Sequence, residues 1–397
     1  MQIGIVGKPS SGKSSFFSAA TLIDVAIANY PFTTIEPNKG IGFVRVECID
    51  KDFGVKCNPR TGYCENGTRY VPVELIDVAG LVPGAHEGKG RGNQFLSDLA
   101  QADVLVHVVD ASGSINAEGE PVALGSYNPS NDVKFLEEEI DEWFFGVLEK
   151  NWRKFYKTPV ESKLKLLELM SQNLSGIGAN STKIETALHK AGLEEKKLEL
   201  WNESEKREFA KQLRIASKPI VIAANKSDLP NSTANIERMK KEFPHLLIIA
   251  CSAISELTLK KAAKEKKIRY LPGSKAFEVL GELDEKQKKG LEYIQKSVLE
   301  KFANTGIQEV LEKAVFELLQ CVAVFPAGTK KLADQFGNIL TDCYIMPKGS
   351  TVLDFAFKLH TDFGNNFIRA IDVKTKQMVG KDHLLKNRDA IEIIHRA

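Results

Sequence analysis

The chain has 397 residues, 43% of them hydrophobic and 27% charged, and a formal net charge of +2. That length makes room for two or three cores in an ordinary globular composition, and no apolar run approaches the ~18 residues of a membrane span, so no membrane partner is expected. The net charge says little about partners: any nucleic-acid surface has to be local, with RNA rather than DNA expected. Six scattered cysteines suit a reducing compartment rather than a disulfide scaffold, and the first residues enter a strand with no basic leader, so a cytoplasmic protein is expected.

Residues 3–6 read as a strand that ends in Gly7-Lys8-Pro9-Ser10-Ser11-Gly12-Lys13-Ser14. This is the spacing G-x-x-x-x-G-K-[ST], in which main-chain N–H groups of Gly7 to Ser15 can curl around phosphate oxygens where a Cβ would obstruct. Lys13 adds a point charge at the β/γ-phosphates, and the Ser14 hydroxyl can hold Mg²⁺. The helix that follows turns its positive end to the same place. A plain Gly/Ser turn is the simpler alternative; strand before and helix after favour the phosphate site. Residues 28–38 carry two prolines and read as a loop, whose Thr33 and Thr34 can reach a metal or serve only the turn.

Strands are expected over 40–49 and 70–76. Between them stand Cys57 and Cys64, but structural zinc asks for four ligands in tighter pairs, so a hairpin-like loop with free thiols is expected. The second strand ends in Asp77-Val78-Ala79-Gly80. Asp77 would sit beside the metal through water, and the Gly80 N–H could meet a γ-phosphate. A glycine-rich loop over 81–92 contains His86, and its order could depend on the γ-phosphate. Residues 103–110 read as a central buried strand in which His107 belongs to the core.

Residues 112–217 interrupt the α/β alternation. Phe135, Leu136, Ile140, Trp143, Phe144, Val147, Leu148 and Trp152 recur at helical spacing, further helices are expected over 163–174 and 193–213, and 176–180 reads as a turn. The aromatic stripe is expected to form the core of an inserted helical subdomain. The sheet resumes at 219–224 and leads into Asn225-Lys226-Ser227-Asp228, where the Asp228 carboxylate can accept from the N1–H and exocyclic amine of guanine together. Adenine offers neither donor in that arrangement, so the wrong base leaves a buried acceptor unpaired. After a strand at 246–250, Ser252 and Ala253 can turn main-chain N–H groups to the base oxygen.

The expected domains are an α/β domain over 1–111 and 218–269, the insertion over 112–217, a helical connector over 270–320 with helices at 285–302 and 307–319, and a small α+β domain over 321–397. That last domain is expected to hold strands at 322–325, 341–346 and 390–394 and a short helix at 351–359. It carries 11 basic and 8 acidic residues, which is compatible with RNA and equally with a solvated face.

Taken together, residues 7–15, 30–38, 77–85, 90–96 and the C-terminal stretch resemble the Obg-related P-loop GTPases, most closely the YchF (Obg-like ATPase) branch in its guanine-reading form. The resemblance implies an α/β fold: a Ras-like P-loop G domain with a helical insertion and a small β-grasp TGS domain. It also implies GTP and GDP as ligands, Mg²⁺ held by Ser14, Thr34 and Asp77 with Thr34 preferred over Thr33, and association with ribosomes or RNA. Many relatives have an altered base-reading motif and prefer ATP, whereas Asn225, Lys226 and Asp228 are intact here. Family members often carry asparagine where Ser10 stands, a residue linked to potassium-assisted hydrolysis, so potassium dependence stays open. Lys13, Gly80 and Leu81 occupy the catalytic positions. Leu81 replaces the water-orienting glutamine of Ras-like enzymes, so slow intrinsic hydrolysis is expected. The sequence thus points to a weak, monomeric GTPase acting as a translation-related switch, with an ATP-hydrolysing enzyme and a nucleotide-stabilised RNA-binding scaffold as alternatives.

Overall fold

The computed structural model describes residues 1–21, 38–78, 92–159, 161–329, 332–334 and 337–396. The described residues divide into two compact units, one drawn from Met1–Leu22, Asn38–Gly40 and Glu74–Val310, the other from Ile41–Val73 and Leu311–Ala397. Strands of the N-terminal half are β1 (Gln2–Val6), β2 (Lys39–Glu47), β3 (Tyr63–Glu65), β4 (Thr68–Asp77) and β5 (Val104–Asp110), followed by β6 (Ile220–Asn225) and β7 (Leu247–Ala250).

In the first unit the end of β4 lies beside β1, with β5, β6 and β7 following in that order. The pairs β1–β4, β1–β5, β5–β6 and β6–β7 are all parallel. Helices cover such a sheet on both faces, which is why β5 and β6 are buried at every position and read as unbroken apolar runs. A parallel sheet gathers the carboxyl ends of its strands at one edge, the place where ligands bind in open α/β folds. Gly7, Val78, Ala111, Lys226 and Cys251 therefore follow their strands along that edge.

Helices α1 (Lys13–Thr21), α2 (Gly92–Gln101) and α3 (Ser130–Lys157) come next in the chain, then α4 (Lys163–Leu174), α5 (Ser181–Ala191) and α6 (Glu203–Ser217). The aromatic stripe of α3 is core, as expected, with Trp143, Phe144 and Trp152 buried together with Trp201 and Phe209. A continuous helix over 193–213 is not found. Gly192 closes α5 in the left-handed conformation at φ +66°, a 3₁₀ turn occupies Leu198–Leu200, and α6 starts afresh at a reciprocal cap between Asn202 and Glu205. Two local stop-and-start signals outweigh the charged helical composition between them. Residues 112–128 are a loop rather than helix, folded so tightly over Pro9 that a Cβ on Gly119 would lie 2.8 Å from that of Pro9. Beyond α7 (Ser232–Glu242) and α8 (Ala253–Lys264), a short hairpin of β8 (Ile268–Arg269) and β9 (Glu278–Val279) precedes α9 (Glu285–Ile294).

The second unit joins residues 41–73 to the C-terminal domain. Its five-stranded sheet has the order β11-β10-β14-β12-β13, from β10 (Val322–Pro326), β11 (Tyr344–Met346), β12 (Phe367–Asp372), β13 (Gln377–Val379) and β14 (Asp389–His395). Val324, Met346, Phe355, Ala370 and Ile391 form its core under the helix Val352–Leu359. Strands β12 and β13 have no clear apolar alternation, and Ile368 and Met378 in them are exposed, so pairing rather than pattern defines them. The strand expected at 341–346 begins only at Tyr344, because Ile339 and Thr341 spend their carbonyls on the N–H groups of Asn58 and Arg60.

Candidate nucleotide site

A cavity of about 610 Å³ opens at the strand ends of the first unit, lined by Lys8 to Ser10, Gly12 to Ser15, Asn225, Lys226, Asp228, Leu229, Ser252 and Ile254. Its volume suits a nucleotide-sized ligand. Two positive φ values shape the phosphate loop, +62° at Ser10 and +93° at Gly12. Gly12 has a further reason to be glycine: a Cβ there would lie 2.1 Å from Asn225 Nδ2.

Asn225 joins the phosphate loop to the segment after β7. Its Nδ2 donates to Ser11 O at 3.0 Å and its Oδ1 accepts from Ala253 N at 3.1 Å, both buried. Beside it, the Asp228 carboxylate accepts from the Ser252 hydroxyl at 2.8 Å, while the Tyr293 hydroxyl donates to Asp228 O at 3.1 Å. The Lys226 ammonium turns back to Asp110 at 3.1 Å. Burial would push the Asp110 carboxyl up, but the Ser112 and Ser114 hydroxyls and Lys226 hold it below the usual carboxylate range. Lys226 and Asp110 thus brace the loop, and Lys226 also lines the cavity.

At the phosphate end Lys13 donates to Asp77 in a part-buried ion pair. Ser14 is exposed at the cavity wall, and its hydroxyl and the Asp77 carboxylate are hard oxygen donors of the kind that could hold Mg²⁺. Lys8, read from the sequence as part of the phosphate cradle, sends its side chain elsewhere: its ammonium is buried against Asp132 at 2.8 Å and lies 3.9 Å from the centre of the Tyr127 ring. Only its main chain is left to face phosphate. The amides of Ser252 and Ala253 are not free for a base oxygen either, since they donate to Thr305 O and Asn225 Oδ1. His107 is buried within β5, and burial, with Lys8 adding, holds its imidazole down at about 3, which leaves it a neutral core residue.

Gly7 and Ser11 are buried behind the loop rather than on the cavity. Thr33, Thr34, Gly80, Leu81 and His86 lie outside the described residues. Sequence spacing does not single out Leu229, Ile254 or Tyr293: exposed Ile254 follows Ser252 and Ala253 directly, but nothing marks Tyr293, which comes from α9, 65 residues beyond Asp228.

A phosphate loop and an Asn-Lys-x-Asp motif at the strand ends of one parallel sheet define a P-loop nucleotide-binding domain, here followed by a C-terminal α+β domain. Residues 2–137 match the family model described as 50S ribosome-binding GTPase, residues 223–328 that of the Obg-like GTPase YGR210-like, G4 motif-containing domain, and residues 324–395 the TGS domain. An uncharacterized GTP-binding protein of Methanocaldococcus jannaschii is 46% identical over 398 residues, covering 100% of this chain and 99% of that one. The crystal structure of a GTP binding protein from Pyrococcus horikoshii OT3 superposes with a TM-score of 0.77 at 38% identity over 100% of both chains. A ribosome-binding ATPase YchF of Buchnera aphidicola is 29% identical over 92% of this chain and 86% of its own. The chain belongs to the YchF/Obg-like family of GTP-binding proteins.

Proposed function

We propose that the protein binds GTP and GDP with Mg²⁺, hydrolyses GTP slowly, and acts as a ribosome-associated switch in translation. The observation that carries the guanine reading is the placement of Asp228 on the same cavity as Lys13 and Ser14, with its carboxylate oriented by Ser252. A carboxylate held in that way accepts two donors from the guanine edge, and an adenine edge leaves it unpaired. The base oxygen would be met by first-turn amides of α8, where Ile254 lines the cavity, because the two preceding amides are occupied.

Lys13 and the loop amides would hold the β/γ-phosphates, and Ser14, Thr34 and Asp77 the Mg²⁺, which neutralises charge on the bridged phosphate oxygens when bound. Lys13 and Asp77 hold each other's charge in this structure, so nucleotide binding would exchange one ion pair for two new ones, Lys13 to phosphate and Asp77 towards the metal. The Gly80 N–H would support the γ-phosphate. Leu81 cannot orient an attacking water, which is the reason for expecting slow turnover. The 50S ribosome-binding description over residues 2–137 and the name of the Buchnera relative support a ribosomal partner; both support a soluble site of action in the cytoplasm, and among the described residues no helix is long and apolar enough to cross a membrane.

That same relative is named an ATPase, so ATP is the second reading, and one titration separates the two. Nucleotide-free protein in Mg²⁺ buffer is titrated with fluorescent GTP and ATP analogues, each competed by the other unlabelled nucleotide. A GTP preference of about two orders of magnitude or more is expected, the size of two charge-assisted hydrogen bonds. Equal competition by ATP would remove the guanine reading. Turnover with and without ribosomes then tests the switch, since a passive scaffold gives no stimulation.

A further inference from the structure

Three of the six cysteines and one aspartate meet in the second unit, and none of them lines the nucleotide cavity. Cys48 and Asp50 follow β2, Cys57 lies in the next loop and Cys64 on β3, and their ligand atoms all fall within 4.8 Å of one another. Cys48 and Cys57 Sγ are 3.7 Å apart. A disulfide needs ~2.05 Å, whereas two thiolates bound at ~2.3 Å to one tetrahedral zinc stand ~3.8 Å apart. Asp50 Oδ2 lies 4.0 Å from Cys64 Sγ, while its Oδ1 accepts from the Lys51 amide. One carboxylate oxygen is thus held by the main chain and the other faces the sulfurs.

The surroundings are built for a buried charged centre. Cys48, Asp50 and Cys57 are buried, and Cys64 is half-buried. Arg69, directly opposite Cys64 across the β3–β4 ladder, is fully buried. Its guanidinium donates to the carbonyls of Leu340 and Thr341, its Nε has no partner, and among the described residues no carboxylate pairs with it. A buried cation without a counter-charge is costly. Three thiolates and a carboxylate around a divalent ion carry two net negative charges, which Arg69 would partly neutralise. Gly62, at φ +70°, lets the loop lie against β4, since a Cβ there would come within 2.0 Å of Tyr70 O.

We propose that Cys48, Asp50, Cys57 and Cys64 form a mononuclear tetrahedral zinc site. Thiolates select a soft or borderline ion, and the closeness of all four donors fits a single ion. Binding displaces the thiol protons to solvent, so no oxidant or reductant is involved. The site staples β2, the 50–55 turn and β3 to the loop whose Asn58 and Arg60 amides bond Ile339 and Thr341. Its role is structural: it fixes the loop on which residues 339–341 are hung.

The test uses the full chain, purified in reductant without chelator. Elemental analysis is expected to find about one zinc per chain after dialysis. Protein stripped of metal should take up one equivalent of Co²⁺ with the intense visible bands of tetrahedral thiolate coordination. Cys57→Ser and Asp50→Asn should each weaken Co²⁺ binding at least tenfold, whereas Cys321→Ser, at a buried cysteine outside the cluster, should leave it unchanged. Limited proteolysis that leaves residues 41–73 and 337–396 as resistant in Cys57→Ser as in wild type confirms that the second unit of the variant has folded. Reduced wild-type protein with neither zinc nor a Co²⁺ spectrum would overturn the proposal. So would Co²⁺ affinity unchanged in folded Cys57→Ser, or a Cys48–Cys57 disulfide with no metal uptake after its reduction.

Discussion

Asn225→Ala tests whether the site is held together by one side chain. Asn225 is buried and spends both ends of its amide, one on Ser11 O at 3.0 Å and the other on Ala253 N at 3.1 Å. Alanine leaves a buried carbonyl and a buried amide unpaired, each costing about 1–3 kcal/mol, so the first unit should lose roughly 2–6 kcal/mol. All three tryptophans, Trp143, Trp152 and Trp201, lie in that unit, so urea unfolding followed by tryptophan fluorescence reports its stability. Asn225→Asp keeps an acceptor for Ala253 but sets a carboxylate against Ser11 O, and should be at least as damaging. GTP affinity should fall by tenfold or more in Asn225→Ala, because the phosphate loop loses its anchor. Unfolding free energy within about 0.5 kcal/mol of wild type, together with GTP affinity within twofold, would refute the account of Asn225 as the tie.

Asp228→Asn should lower GTP affinity by roughly 10²–10⁴-fold, the value of two charge-assisted hydrogen bonds, while the urea transition stays in place; isothermal titration and unfolding curves measure the two effects. Gly12→Ala should abolish binding, since its Cβ would lie 2.1 Å from Asn225 Nδ2 at a φ of +93°, and retained affinity would contradict this loop geometry. Lys8→Met should cost about 3–5 kcal/mol by stranding buried Asp132. Burial already holds the Asp132 carboxyl above its ordinary range despite Lys8; a carboxyl raised in the folded state loses stability as pH rises, so the variant's deficit should be larger at pH 8 than at pH 5. His107 runs the other way: its folded pKa of about 3 against 6.5 means that the unfolded chain binds the proton first, so stability falls as pH drops from 6.5 towards 3. Between pH 6 and 5 this one group should contribute about 1 kcal/mol, and His107→Gln should flatten the slope by that amount.

Much of the first unit was legible because its chemistry is contiguous in the chain. A phosphate loop needs eight consecutive residues with glycine at fixed places, and Asn225 to Asp228 follow a strand whose apolar run is unmistakable. Strand positions in the parallel sheet were readable for the same reason: strands buried on both faces must be apolar throughout. Legibility failed where capping broke a charged helical stretch at Gly192 and Asn202, and where β12 and β13 depend on neighbours rather than on alternation.

By itself the sequence determined which segment carries the phosphate-loop pattern, which carboxylate follows β6, and that a second small domain lies in the C-terminal part, since these follow from local spacing and glycine conformation. Only the tertiary structure decided what each side chain faces. It sent Lys8 away to Asp132, engaged the amides of Ser252 and Ala253 inside the protein, brought Tyr293 to Asp228 from another helix, and added Cys48 and Asp50 to a cysteine pair too sparse to read as a metal site. The physical reason is that a hydrogen bond or a metal ligand is defined by a few ångströms in space, and chain spacing specifies that distance only within a turn or two of regular structure.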